Sequence, residues 1–119
     1  PALASIRDAM RTYPQFVAAE GLLDTVLMRS LPGIVTKIGA EAVHAMALPV
    51  QGWGVAIKVE DGSDRALGPA TIAVLAELGL IGAAERDRLG AFAGRVLRNQ
   101  SGLEVGDIRG VARLVREPA

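Results

Sequence analysis

Lys37 is the residue of this sequence whose setting points to chemistry. It stands inside Ile34-Val35-Thr36-Lys37-Ile38-Gly39-Ala40-Glu41, a run with strand spacing that closes on a small, flexible Ile38-Gly39-Ala40. Strand alternation puts Ile34, Thr36 and Ile38 on one face and Val35, Lys37 and Gly39 on the other, so the ammonium projects away from the isoleucines. An ammonium held there can stabilise a developing negative charge or assist a proton transfer. The competing use is structural: the lysine snorkels along a strand edge and pairs with Glu41 or Glu60. The other polar residues read more simply. His44, the only imidazole of the chain, has no carboxylate partner by spacing and reads as structural or exposed. Asp24-Thr25 inside a helical stretch reads as a structural hydrogen-bonding pair. Glu60-Asp61-Gly62-Ser63-Asp64 lacks the full ligand spacing of a calcium loop and reads as a polar turn. Trp53, between two glycines, reads as a core or interface aromatic.

Three short runs rich in β-branched and apolar residues must hold Lys37. They are separated by Gly39-Ala40-Glu41 and by Pro49-Val50-Gln51-Gly52, the pattern of a three-stranded antiparallel meander over residues 34–60. Everything around it looks helical. Leu3, Ile6 and Met10 make one side of a helix over 3–11 that stops before Pro14. After a connector over 12–20, Leu23, Val26 and Leu27 mark a second helix from Gly21, ended by Pro32-Gly33. Gly68-Pro69 opens a third helix with Ile72, Leu75 and Ala76 inward and Gly79 as its left-handed cap. Leu89, Phe92, Ala93, Val96 and Leu97 fit one face of a fourth helix over 84–98. The glycine-punctuated tail suggests loops and one edge strand toward 111–115. This is an α+β arrangement, a three-stranded antiparallel meander flanked by helices. Both strand faces carry apolar residues, so either helices cover both or a missing partner covers one.

Composition narrows the function classes. A chain of 119 residues lies in the single-domain range. Half of it is hydrophobic but only 3% is aromatic, so the core must be built from Ala, Val, Leu and Ile. Thirteen basic residues balance thirteen acidic ones, which removes the electrostatic reason to expect nucleic acid or an anionic membrane. The absence of cysteine excludes disulfides and thiolate sites, and with one histidine it argues against a metal cage within this chain. The nearly apolar stretch 66–84 approaches the length of a membrane span, but Glu77, Pro69, Gly79 and Gly82 interrupt it, so a buried helix is expected. A cytoplasmic location fits the lack of cysteine.

Taken in order, Gly21-Leu22-Leu23-Asp24-Thr25, Leu31-Pro32-Gly33, Lys37-Ile38-Gly39-Ala40-Glu41, Gly52-Trp53-Gly54-Val55-Ala56-Ile57-Lys58-Val59-Glu60-Asp61-Gly62 and Arg65-Ala66 resemble the C-terminal part of the L-asparaginase II family. These are bacterial amidohydrolases with a fold similar to serine β-lactamases and glutaminases. The resemblance implies that the strand carrying Lys37 borders a site where a lysine-activated serine attacks the side-chain amide of L-asparagine. Such folds carry a Lys-Thr-Gly or Lys-Ser-Gly segment on this strand, and Lys37-Ile38-Gly39 is the matching position. Ile38 departs from the pattern by lacking the hydroxyl. By the same analogy the Ala40 N–H helps form an oxyanion hole, Gly39 allows close approach to the backbone, and Gly39, Ala40 and Glu41 contact the substrate.

One departure concerns the nucleophile. None of Ser5, Ser30, Ser63 and Ser101 is followed three residues later by lysine, so the serine is expected upstream of this sequence. Zinc held near the site in the intact family would come through residues outside this chain, which itself is expected to need no cofactor. The expectation is a single α+β segment over 1–119, the C-terminal part of a larger domain, inactive alone. It would take L-asparagine, not nucleic acid or membrane, and would form a homo-oligomer or associate with the missing N-terminal half. A second class of function is a non-catalytic module that binds a partner through an uncovered sheet face.

Overall fold

The computed structural model describes residues 1–118, and the chain is mixed α and β. It divides into two compact units, residues 1–63 and the residues from Asp64 onward.

In the first unit, helix α1 (Ala2–Thr12) leads through a short 3-10 turn (Pro14–Phe16) to helix α2 (Leu23–Ser30). The apolar stripe of α1 forms as the spacing predicts, yet no residue of the helix is buried, and Leu3 and Ile6 face solvent. Helix α2 supplies the core. Leu23, Leu27 and Met28 are buried and the helix packs against the first strand. A leucine enclosed as fully as Leu27 stabilises a fold by roughly 1.5–3 kcal/mol relative to its exposed state. The three strands are β1 (Val35–Gly39), β2 (Val43–Leu48) and β3 (Trp53–Lys58), joined as an antiparallel meander in the order β1-β2-β3. This is the meander that the turn residues and alternation predict.

Register decides what each face holds. Thr36 pairs with Met46, Ile38 with His44, Met46 with Val55 and His44 with Ile57, so these side chains share one face. Along β2 burial alternates strictly, with His44, Met46 and Leu48 enclosed and Val43, Ala45 and Ala47 exposed. The apolar residues of the second face therefore do not make it a buried one. They are small, and alanine loses little by facing water. Trp53, the first residue of β3, paired with Leu48 beside the turn from β2, is half exposed and no core residue.

In the second unit, a 3-10 turn (Asp64–Ala66) runs into helix α3 (Leu67–Glu77), with Pro69 in its first turn, where the missing N–H costs no hydrogen bond. The helix ends as Gly79 predicts. Gly79 has φ +74°, its N–H donates to Ala76 O at 2.9 Å, and Leu80 N–H donates to Leu75 O at 3.0 Å, the paired bonds of a Schellman ending. Helix α4 (Ala83–Ala93) begins where Glu85 accepts the Gly82 N–H at 2.9 Å and stops five residues short of the predicted end. Val96 and Leu97, expected on its inner face, lie instead on strand β4 (Gly94–Arg98). That strand pairs antiparallel with β5 (Glu104–Arg109), which is also where the tail strand lies, rather than at 111–115. Gly94 adopts an extended conformation, and glycine there gives up little helix stability. The turn between the strands is held by Asn99, whose carbonyl accepts Gly102 N–H and whose side chain accepts Leu103 N–H, each at 3.0 Å. Leu67, Ile72, Leu75, Ile81 and Leu89 are the unit's buried apolar residues. No helix among the described residues is long and apolar enough to cross a membrane.

Candidate functional site

Lys37 sits in the middle of β1, exposed, on the face opposite Thr36 and Ile38. Its neighbours across the sheet are Ala45 on β2 and, beyond that, Ala56 on β3, both exposed, so it stands over an open floor of small residues. The ammonium donates to the carbonyl of Ile38 and, among the described residues, makes no ion pair with Glu41 or Glu60. The structural use of Lys37 as a surface partner of those carboxylates is therefore not realised. A cation on an open surface whose bond is to its neighbour's backbone keeps most of its capacity to meet an anionic or polar ligand.

Behind Lys37, on the buried face, lies a polar cluster that spacing alone does not reveal. Asp24, near the start of α2, is fully enclosed, as are Thr36 and His44. Thr36 Oγ1 donates to Asp24 Oδ1 at 2.8 Å, Ile38 N–H donates to Asp24 Oδ2 at 2.8 Å, and His44 Nε2 lies 2.9 Å from Asp24 Oδ1. Nε2 also touches the Thr36 hydroxyl. A carboxylate can only accept, so the ring nitrogen facing Oδ1 carries its proton. Burial pushes the Asp24 carboxyl upward, but the hydrogen bonds from His44, Ile38 N–H and Thr36 outweigh it and hold the group below the usual aspartate range. His44 is thus structural and not exposed, and it does have a carboxylate partner, twenty positions away. Asp24 and Thr25 both serve structure, though not by bonding each other. Thr25 Oγ1 donates to Ala18 O at 2.6 Å and so fastens the connector to α2.

The turn after β1 is strained. Gly39 pairs with Val43, leaving Ala40, Glu41 and Ala42 to reverse the chain, and Glu41 and Ala42 both have left-handed backbone, φ 56° and 53°. Left-handed geometry costs a non-glycine residue roughly 1–2 kcal/mol, and two in succession persist only where neighbours hold them. Here Lys58 Nζ donates to Glu41 O at 2.6 Å and Val59 N–H donates to Ala42 O at 3.0 Å. Gly39, Ala40 and Glu41 are exposed, whereas Ala42 is fully buried. Register also puts Lys58 on the face that bears Lys37, in the row Gly39, Val43, Lys58. Alternation along β3 could have signalled that placement; nothing in the spacing signals Asp24.

The donor set does not fit a metal centre of this chain's own. There is no cysteine, and no three His, Asp or Glu side chains among the described residues converge as ligands. Asp24 and His44 do meet, but they are committed to each other, to Thr36 and to the Ile38 N–H.

Comparison with known proteins accounts for the ordered motifs around this site. No curated protein matches the chain closely enough to name as a relative. The family described as L-asparaginase II matches residues 1–110, which takes in α1, α2, the whole meander, α3, α4 and both strands of the β4–β5 hairpin. With nearly the whole length matched, the chain belongs to the L-asparaginase II family.

Proposed function

We propose that this chain forms part of an L-asparagine amidohydrolase, in which L-asparagine and water give L-aspartate and ammonia. Membership of the family supports the reaction class. The single observation that carries the site is Lys37, exposed on an edge strand, free of carboxylates among the described residues, and followed at once by exposed Gly39 and Ala40. In this reading the substrate amide lies along the end of β1. Lys37 is the catalytic residue of this chain and stabilises charge or assists proton transfer at the attacking serine or the substrate. The Ala40 N–H donates to the developing oxyanion, Gly39 allows close approach, and Glu41 contacts the substrate.

The nucleophile comes from residues outside this sequence, since Ser5, Ser30, Ser63 and Ser101 each lack a lysine three positions on. Any zinc in the intact protein is likewise held elsewhere, and no step of this reading runs through it. The acyl step is an attack of a serine oxygen on the amide carbon, with the proton passing to the departing ammonia. Water then releases aspartate. The reading is tested by measuring ammonia release from L-asparagine and from L-glutamine by the full-length protein and by these 119 residues alone. Release by the full-length protein, with none from the shorter chain, is expected. No release by the full-length protein at micromolar enzyme contradicts the reading.

The exposed strip of Val43, Ala45 and Ala47 on β2 favours a second reading, a module that docks a partner on this sheet face without catalysis. Light scattering tests it: a monomer at all concentrations, with no bound partner, removes its support.

A further inference from the structure

We infer that Asp24 is a positioning residue for Lys37, acting from the opposite face of the strand. One buried carboxylate grips the residues on both sides of the lysine: Oδ1 takes the Thr36 hydroxyl and Oδ2 takes the Ile38 backbone N–H, each at 2.8 Å. His44 backs the grip at 2.9 Å from Oδ1. The inference rests on the reading of Lys37 as the working residue.

Strand β1 needs such a device because it is an edge strand, paired on one side only, with β2. Edge strands fray and slip, and a slip of one residue turns every side chain to the other face. A slip here would bury Lys37 and expose Thr36. Asp24 opposes it in two ways. It occupies the Ile38 N–H, which no strand takes, and it accepts the Thr36 hydroxyl, which can reach it only when Thr36 faces α2. Both bonds must break before Lys37 can rotate away from the open face. Asp24 and Thr36 are enclosed and Ile38 is half-buried, so water competes little for the Thr36 bond and only partly for the Ile38 bond.

The test uses ammonia release from L-asparagine by the full-length protein, well below the melting temperature of every variant. Asp24→Asn should lower kcat roughly tenfold or more while KM changes less than about threefold, because geometry is lost and uniform binding is not. Thr36→Val should do the same, whereas Thr36→Ser, which keeps the hydroxyl, should stay within about threefold of the parent. In a Lys37→Ala background, Asp24→Asn should bring no further loss, since Asp24 acts through Lys37. A folded Asp24→Asn protein with full kcat overturns the inference, as does equal activity of Thr36→Val and Thr36→Ser. Should Asp24→Asn fail to fold, the Thr36 pair decides. Full activity of Lys37→Ala alone would instead remove the reading on which the inference rests.

Discussion

The carboxylate of Asp24 accepts the backbone N–H of Ile38 at 2.8 Å, tying the first turn of α2 to the strand position next to Lys37. The same carboxyl is held below its ordinary range, its burial outweighed by hydrogen bonds from His44, Ile38 and Thr36. Acid should therefore act on the fold through it. In the unfolded chain Asp24 takes up a proton near pH 4, and in the folded chain only at lower pH. Its contribution to stability is complete above about pH 4 and is lost as pH falls through the lower folded value. Asp8 and Glu20 are also held low, by hydrogen bonds from Arg7 and Arg29, but on the surface. Urea unfolding of the parent and of Asp24→Asn between about pH 2 and 5 separates them: the variant should show the shallower loss. Parallel curves would show that Asp24 is not the acid-sensitive group.

Glu41 should be more stable as glycine. Its φ of 56° costs roughly 1–2 kcal/mol, and glycine removes that cost while giving back about 0.5–1 kcal/mol of chain entropy. Glu41→Gly in the full-length protein should raise the urea midpoint at unchanged slope, by up to about 1 kcal/mol. KM for L-asparagine should rise at the same time, because the proposed substrate contact is gone. A lower midpoint would show that the Glu41 side chain contributes more than the turn costs.

Two glycines of the second unit should respond to alanine in opposite directions. A Cβ at Gly110 would lie 1.9 Å from the Pro69 carbonyl oxygen, so Gly110→Ala must displace backbone. Overpacking of that kind typically costs about 1–3 kcal/mol. Gly90, inside α4, has no atom within 4 Å of its Cβ position, and Gly90→Ala should stabilise the helix by roughly 0.5–1 kcal/mol. Thermal melts of both variants check the pair. Equal effects of the same sign would contradict the packing of Gly110 on α3.

The meander and the helices before it are legible in the sequence because their signals are local. Gly79 announces the end of α3, and alternation around Lys37 places it on the open face. Where α4 ends is not local. Leu89, Phe92, Val96 and Leu97 satisfy helical spacing, and the partner that makes Val96 and Leu97 a strand lies across a turn, at Gly106 and Asp107. Residues Asn99 and Gly102 carried the hint of that turn. The Asp24 cluster was invisible for a related reason. Asp24, Thr36 and His44 are twelve and twenty positions apart, and only the register of β1 on β2 beneath α2 brings them together. Burial of small residues is also weakly encoded, which is why apolar residues on both strand faces predict a cover for the alanine face of β2 that stands exposed here.

The most direct measurement of the central claim is the steady-state rate of ammonia release from L-asparagine by the full-length protein carrying Lys37→Ala. Lys37 is exposed and, among the described residues, its ammonium bonds a neighbouring carbonyl alone, so its removal should leave the melting temperature within a few degrees of the parent. The rate should fall by two or more orders of magnitude in kcat. A folded Lys37→Ala protein that keeps its full kcat would contradict the assignment of Lys37 to the reaction.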